Sequence, residues 1–338
     1  ILDITYCVCC SIHFFFDEIH EVSGWERFIR RLLDNETINI YLTGSSAKMF
    51  SKEIATSLRG RTLVREIYPF NFREYLDYLG ISYGKSLSSK QRAKLTHYAY
   101  EYLKYGGFPE VIGIDTSFHR EVLQSYIDIV IYRDIIERYN VKNVHVLRKL
   151  LSHCLQNPAT LFSVNKMYQA LKSQGYTVSK NSLYEFMDYF EDAYCLFSIP
   201  AFNFSARKSE LKPRKIYPVD TGLITAYATE IDYQQGPALE SLVFASLIRR
   251  AKELYYFVTE KGQEVDFFIQ YPDQTRELFQ VSLSLKREST LKREVSALEQ
   301  AMKETGLERA SIITLDEEKS LATESGEIQI IPLLKFLL

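Results

Sequence analysis

The chain has few features that would mark a secreted, membrane or strongly charged protein. Its 338 residues include only five cysteines, an odd number. Three of these are crowded at Cys7, Cys9 and Cys10, with no second Cys or His cluster nearby. We expect small buried apolar side chains there rather than metal ligands. A reducing, cytoplasmic compartment is the simplest expectation.

No charge of one sign dominates the chain. The 41 Lys and Arg residues against 43 Asp and Glu residues leave a net charge of −2. There is therefore no bulk attraction to nucleic acid or to an anionic membrane, and any such binding needs a local patch. Residues 1–16 are apolar but too short to span a bilayer, and they lack a basic leader, so no membrane partner is predicted.

The hydrophobic pattern of the first third predicts a parallel α/β sheet. Apolar strands are predicted at 12–16, 38–42 and 62–67, alternating with helices at 24–33 and 47–58. Residues 72–155 read as helical, with a break at Gly106-Gly107-Phe108-Pro109. Helices at 164–171 and 179–190, followed by strands at 194–199 and 215–219, suggest a winged helix.

The last third has a different pattern. A helix from Ala238 to Arg250 precedes strands at 254–258, 264–270 and 277–283. A charged helix at 286–305 and a strand at 310–315 follow. These patterns divide the chain into four units: 1–75, a partial parallel-sheet core; 76–158, a helical lid or linker; 159–232, winged-helix-like; and 233–338, an α/β unit.

Two adjacent acids end the first predicted strand. Asp17 and Glu18 follow Phe14-Phe15-Phe16, and buried carboxylates need a cation or water. In nucleotide hydrolases such acids hold Mg²⁺ and orient the attacking water. The alternative is a helix N-terminus, which also favours acids. Thr43 or Ser45, after the second strand, would lie beside a γ-phosphate, or would simply cap the next helix.

An ordered series of motifs resembles a known family. The series comprises Phe-Phe-Phe-Asp-Glu-Ile-His (14–20), Gly-Trp-Glu (24–26), Tyr-Leu-Thr-Gly-Ser-Ser-Ala (41–47), Leu-Arg-Gly-Arg (58–61), Tyr-Pro-Phe-Asn-Phe-Arg-Glu (68–74) and Tyr-Gly-Gly-Phe-Pro (105–109). Together they resemble prokaryotic AAA+ ATPases that carry a DUF4143 domain. The resemblance implies that ATP and Mg²⁺ are cofactors, that Asp17 and Glu18 are the Walker B acids with Asp17 on the metal, and that Thr43 to Ser45 are the sensor. Arg59 or Arg61 would act on phosphate, or would anchor the loop to a nearby acid.

One part of that family's site is missing from the sequence. There is no G-x-x-x-x-G-K-[ST] loop, which supplies most of the positive environment around a triphosphate. The first residue is Ile rather than Met, so we expect a longer reading frame upstream or a trimmed chain. We expect these 338 residues alone to bind ATP weakly or not at all.

A basic cluster lies in the predicted winged helix. Its members, on the predicted wing, are Arg207, Lys208, Lys212, Arg214 and Lys215. Such side chains contact phosphates beside a recognition helix, here 179–190. That helix also carries acids, including Glu185 and Asp188, which repel a DNA groove. Packing between domains is therefore the alternative to DNA contact.

The C-terminal pattern resembles the PD-(D/E)xK nuclease core. Glu240 and Asp266 match its acids, but Gln280 replaces the second strand acid and Ser282 replaces the lysine. A neutral amide is a poor Mg²⁺ ligand and a hydroxyl carries no charge, so a fold that has lost cleavage is predicted. Lys286 lies four residues further along than the position the motif requires.

The sequence thus predicts a multidomain α/β protein: an AAA+ core with a helical lid, a winged helix and a restriction-endonuclease-like C-terminal domain. The implied function is ATP-dependent regulation of a nucleic-acid or protein partner, with DNA, another protein or a homo-oligomer as partner. The alternative is a non-enzymatic DNA- or protein-interaction module with a degenerate nuclease fold.

Overall fold

The computed structural model confirms the α/β class. It describes residues 3–6, 12–19, 22–45, 58, 61–84, 86–203, 212–228 and 234–338. The described strands form three separate sheets, of three, six and three strands. The predicted helix at 47–58, except Leu58, lies outside the described residues, as do Cys7, Cys9 and Cys10.

The first sheet contains the strands β1 (Asp3–Tyr6), β2 (Ile12–Phe16) and β3 (Ile38–Leu42). β2 and β3 are parallel, as predicted, and β1 adds an antiparallel neighbour on the other side of β2. The helix α1 (Trp25–Asn35) connects the parallel pair and buries Trp25 and Ile29 against it. A parallel pair needs such a crossover, which returns the chain to the edge where the strands begin.

The predicted third strand at 62–67 is wrong. Residues 61–68 form no regular element, and Leu63 and Ile67 are 85% and 89% exposed. A strand is stabilised by a ladder of hydrogen bonds to a neighbour, and this segment has none among the described residues. Its apolar composition alone could not reveal that.

The middle of the chain is helical, as predicted. Its helices are α2 (Phe72–Tyr78), α3 (Ser89–Tyr105), α4 (Thr116–Val130), which continues into a π-helical segment (Ile131–Glu137), and α5 (Val144–Gln156). The break at Gly107 has a steric cause. A Cβ there would lie 2.1 Å from the Phe70 carbonyl oxygen, so only glycine permits this close approach.

A small antiparallel sheet with flanking helices follows. Its elements are β4 (Thr160–Phe162), α6 (Val164–Ser173), α7 (Lys180–Asp192), β5 (Leu196–Ile199) and β6 (Arg214–Pro218). The strand order is β4-β6-β5. Ser179 caps α7, because its hydroxyl accepts the Ser182 backbone N–H at 3.0 Å.

The C-terminal unit is built on a six-stranded mixed sheet. Its elements, preceded by a short helix α8 (Thr221–Tyr227), are α9 (Gln235–Ile248), β7 (Glu253–Val258), β8 (Glu264–Gln270), β9 (Arg276–Val281), α10 (Glu288–Thr305), β10 (Arg309–Thr314), β11 (Lys319–Thr323), β12 (Gly326–Pro332) and α11 (Leu333–Leu337). The order is β11-β12-β10-β9-β8-β7. β9, β10 and β12 are parallel, and the remaining neighbours are antiparallel.

The hydrophobic clusters cross the predicted unit boundaries. Phe72 of the predicted core and Leu76 and Leu103 of the predicted lid pack with Leu239 of α9 and Leu333 of α11 in one cluster. The helices α2 and α3 are therefore joined to the C-terminal unit by a shared core. In the part of the chain that the structure describes, none of the helices is both long enough and apolar enough for a membrane crossing.

Candidate functional site

Asp17 and Thr43 meet at the carboxyl edge of the parallel pair. Asp17 follows β2 directly and Thr43 follows β3, and the Thr43 hydroxyl donates to Asp17 Oδ1 at 2.5 Å. The Thr43 backbone N–H donates to the Phe16 carbonyl at 2.9 Å, which extends the pairing by one residue. The parallel register thus brings together two residues that lie 26 positions apart.

Glu18 is held in an unusual backbone conformation beside them. Its φ is +48°, in the left-handed region that non-glycine residues seldom adopt. The Thr43 hydroxyl oxygen accepts its backbone N–H at 3.1 Å. Strained backbone of this kind is concentrated at functional sites, where the surroundings enforce it.

The oxygen atoms at this edge suit a hard cation. Carboxylate, hydroxyl and water oxygens are the ligands that Mg²⁺ takes, through one or two carboxylates and several waters. Asp17 is exposed to solvent, so its carboxylate can be reached by a hydrated ion. Asp17 is the residue that would hold Mg²⁺, with Thr43 fixing its orientation.

Arg61 is not brought to this edge. Its guanidinium pairs with Asp34 at 2.7 Å, and both side chains are about half exposed. Asp34 lies near the end of α1, just before β3 begins, so the pair sits at the amino edge of the sheet. The five residues of β3 separate that edge from Thr43 by about 16 Å. Arg61 therefore anchors a loop in this structure, the second of its two predicted roles, and Arg59 lies outside the described residues.

Ser45, in the loop after β3, connects that loop to the π-helical segment. Its hydroxyl donates to Asp134 Oδ1 at 2.8 Å and accepts from Arg138 Nη2 at 2.8 Å. Arg138 also lies 3.4 Å from Asp134 and 3.8 Å from Asp192. Asp192, 1% exposed, is the last residue of α7 and accepts the Tyr139 hydroxyl. A continuous polar chain thus runs from the loop after β3 to the end of α7.

The basic cluster of the predicted wing is only partly described. Arg207 and Lys208 lie outside the described residues. Lys212 is partly exposed, and Arg214 is exposed and donates to Ser198 Oγ at 3.1 Å. Lys215 is 4% exposed and ion-paired inside the protein, so its predicted contact with DNA is wrong.

Lys215 instead lies among three carboxylates. Its Nζ is 2.7 Å from Glu240 of α9, 2.7 Å from Glu264 and 3.0 Å from Asp266, the last two on β8. The Tyr217 hydroxyl donates to the same Glu240 oxygen at 2.7 Å. We call these five residues the lysine–acid cluster. It joins β6 of the small sheet to the C-terminal unit.

Gln280 lies behind this cluster. Its Oε1 accepts the Asp266 backbone N–H at 3.1 Å, and its Nε2 donates to Glu294 at 2.9 Å. The second Asp266 oxygen accepts the Val281 backbone N–H at 2.9 Å. Gln280 therefore positions Asp266 by accepting its backbone N–H.

Burial and charge shift the protonation of the cluster. Burial, reinforced by the neighbouring Asp266 charge, raises the pKa of Glu240 to about 8 although Lys215 opposes this. Burial disfavours the Lys215 ammonium, but Asp266, Glu240 and Glu264 outweigh it and raise the pKa of Lys215. Lys215 therefore stays charged. Among the described residues, no group of three or more His, Cys, Asp or Glu side chains is arranged to hold a metal ion.

Sequence reasoning named Glu240 and Asp266 but missed how they are used. The two-residue period of a strand places Glu264 with Asp266 on one face of β8, and Lys215 with Tyr217 on one face of β6. That signal was available in the sequence. The approach of the two faces was not, nor was the pairing of Arg138 with Ser45, 93 positions away.

Three family models match the chain in succession. An AAA domain matches residues 7–76, a domain of unknown function, DUF8612, matches residues 96–235, and another, DUF4143, matches residues 235–336. The AAA match includes Asp17, Glu18, Thr43 and Ser45. The boundary between the last two matches separates Lys215 from its three acids.

The chain is also similar to uncharacterized proteins from an archaeon and a bacterium. One from Methanocaldococcus jannaschii is 36% identical over 349 positions, covering 99% of this chain and 77% of the relative. One from Haemophilus influenzae is 28% identical, covering 78% of this chain and 64% of the relative. A second M. jannaschii protein is 25% identical, and the chain spans 55% of its length.

Proposed function

We propose that this chain, which belongs to the family of AAA-domain proteins with a C-terminal DUF4143 domain, couples ATP hydrolysis to the regulation of a nucleic-acid or protein partner. The observation that carries the proposal is the Thr43 hydroxyl, which bridges Asp17 and the Glu18 backbone at the carboxyl edge of parallel strands. Ligands of open α/β sheets bind at such edges.

Each residue at this edge has a role in the proposal. Asp17 holds Mg²⁺, and Glu18 orients the attacking water, because an acid next to the metal ligand is placed for that task. Ser45 reports on the nucleotide. Its two partners, Asp134 and Arg138, belong to the middle helices rather than to the sheet.

The polar chain from Ser45 supports coupling to α7. A nucleotide that draws Ser45 away would leave Asp134 and Arg138 to each other, and would change the contact of Arg138 with Asp192. Asp192 ends the helix that precedes β5. The coupling would thus require a second arrangement of these side chains, which the nucleotide-bound state would favour.

Mg²⁺-dependent ATP hydrolysis tests the proposal. It is measured on the 338-residue chain and on the product of any longer reading frame that includes a phosphate-binding loop. We expect hydrolysis in a product that carries the loop, a loss of about 100-fold or more in E18Q, and retained nucleotide binding in that variant. D17N should lose Mg²⁺-dependent binding.

Glu36, an exposed acid just after α1, supplies the matched control. E36Q should hydrolyse ATP at the wild-type rate. Equal rates for E18Q and wild type would contradict the assigned role of Glu18. A loop-bearing product that does not hydrolyse ATP would remove the enzymatic proposal altogether.

An interaction module is the second candidate. A winged helix is supported by the order of elements along the chain, α5-β4-α6-α7-β5-β6, and by the sheet order β4-β6-β5. On the first turns of α7, the proposed recognition helix, Lys180, Asn181 and Tyr184 are exposed. Lys212 and Arg214 are the described cations of the predicted wing that are accessible to solvent, and we propose that they contact phosphate. A duplex DNA titration at two salt concentrations tests it, since phosphate contacts weaken steeply with salt. K212Q/R214Q should bind several-fold more weakly than a K286Q control. Equal, salt-insensitive affinities would exclude DNA.

The order of elements in the C-terminal unit supports its interpretation as a nuclease-like core. The order α9-β7-β8-β9-α10-β10, with β9 and β10 parallel, places Glu240 and Asp266 together, as the sequence motif requires. We propose that this core has lost cleavage. Plasmid incubated with Mg²⁺ or Mn²⁺ should remain intact, and cuts that vanish in D266N would contradict this.

A further inference from the structure

The acids of the C-terminal unit converge on one point, and that point is filled. Glu240, Glu264 and Asp266 each place an oxygen within 3.0 Å of the Lys215 Nζ. An ammonium has three N–H donors, so Lys215 can satisfy one acid with each. Its hydrogen bonds go to Glu240 and Asp266, and Glu264 completes the group as an ion pair.

We propose that the Lys215 ammonium is the resident cation of this acidic pocket, standing where a divalent metal would otherwise be needed. The pocket then binds a side chain of this chain and not a metal ion. Its role is to fix β6 to α9 and β8. This inference is independent of ATP hydrolysis at Asp17 and of DNA contact by α7.

The surroundings of the pocket favour a fixed side chain over an exchangeable ion. Lys215 and Asp266 are 4% and 6% exposed, so a hydrated ion would have to approach past Glu264, whose side chain is 35% exposed, and displace an ammonium held by Glu240 and Asp266. Gln280 is occupied by the Asp266 backbone and Glu294. The Tyr217 hydroxyl donates to Glu240 and so adds a further stabilising contact to that oxygen.

The rival interpretation is a catalytic lysine that has moved to β6. Such a lysine must reach a substrate phosphate and must work beside a bound metal. The Lys215 side chain is instead 5% exposed, and its ammonium is directed at three acids of this chain. The two interpretations differ in what they predict for metal binding by the wild-type protein.

Mn²⁺ titration of the wild-type protein, followed by electron paramagnetic resonance, is the first test. We expect that no Mn²⁺ binds at the lysine–acid cluster. Any Mn²⁺ binding that is detected should come from Asp17, so it should be lost in D17N and unchanged in D266N. The unfolding midpoint should not respond to Mn²⁺ or EDTA in D17N, which removes the site in the first domain. Mn²⁺ binding that is abolished by D266N, or Mn²⁺-dependent plasmid cleavage that is abolished by K215M, would overturn the inference.

The K215M variant is the second test, with K286M, at an exposed lysine, as its control. Uncompensated buried acids should lower the midpoint of K215M by roughly 10 °C. Mn²⁺ should restore several degrees of that loss, and K215M/D266N should show no such rescue. K286M should match wild type. A K215M midpoint equal to that of K286M would overturn the inference. If K215M does not fold with or without Mn²⁺, the wild-type titration decides.

Discussion

Two groups of acids in this molecule are handled in opposite ways. Asp17 ends a strand, faces solvent and is oriented by the Thr43 hydroxyl. Glu240 and Asp266 are brought together from a helix and a strand, are shielded from solvent and share the Lys215 ammonium. The first arrangement leaves a carboxylate accessible to an ion or nucleotide, whereas in the second the Lys215 ammonium already occupies the position of a cation.

The difference shows why acidic residues alone do not define a metal site. A buried carboxylate must be neutralised by a proton or a cation, because its desolvation is costly. Whether that cation comes from solution or from a side chain of the protein depends on which strands pack against the carboxylates. Here Lys215 of β6 packs against the acids, so its ammonium both stabilises the contact between the two units and occupies the position that a metal ion would need.

The largest contrast is expected from the same substitution at both sites. D266N removes a buried partner of Lys215 and should lower the free energy of unfolding by about 3 kcal/mol. D17N changes an exposed side chain and should stay within about 0.5 kcal/mol of wild type. Urea denaturation monitored by circular dichroism measures both. Equal losses would show that the two sites are not built differently.

The pH dependence of stability sharpens the contrast at Glu240. Its pKa is raised from 4.5 to about 8 on folding, so the folded state holds a proton that the unfolded state releases in that range. Stability should therefore fall as pH rises from about 5 to 8 and level off above that. The charged and titratable groups that act on Glu240 are Asp266, Lys215 and Tyr217, and Glu264 shares Lys215 with it.

E240Q should flatten that part of the pH profile, because an amide keeps an acceptor for Lys215 and Tyr217 but does not titrate. Thermal unfolding between pH 5 and 9 measures the slope. E36Q, at an exposed glutamate, should retain the wild-type slope. An unchanged slope in E240Q would assign the pH dependence to another group.

The strands and helices that the sequence predicted well are those with a strong local signal. The apolar run at 12–16 correctly predicted the strand that ends beside Asp17, and the pattern at 179–190 correctly predicted the helix α7. The prediction of a strand at 62–67 was wrong, because an apolar pattern does not show whether a neighbouring strand is available for pairing, which tertiary structure decides. Lys215 was assigned to DNA because a run of basic residues on a wing resembles a solvent-facing surface.

A smaller effect is expected where the first site meets the middle helices. S45A removes a hydroxyl that both donates to Asp134 and accepts from Arg138, and should cost about 1 kcal/mol of stability. The S45A/D134N double mutant should lose less than the sum of the single variants, because the two residues share a hydrogen bond. Additive losses would mean that the polar chain is not energetically continuous.

The smallest effect is expected at Arg61, whose exposed pair with Asp34 lies at the opposite edge of the sheet from Asp17. A double-mutant cycle with R61A and D34A should give a coupling energy of about 0.5 kcal/mol, as exposed ion pairs do. If Arg61 only anchors its loop, R61A should leave the ATP hydrolysis of a loop-bearing product within about twofold of wild type, since Arg61 lies at the edge opposite to the proposed nucleotide site. A far larger loss would mean that Arg61 reaches phosphate in another arrangement, one in which a neighbouring subunit brings its amino edge to the nucleotide.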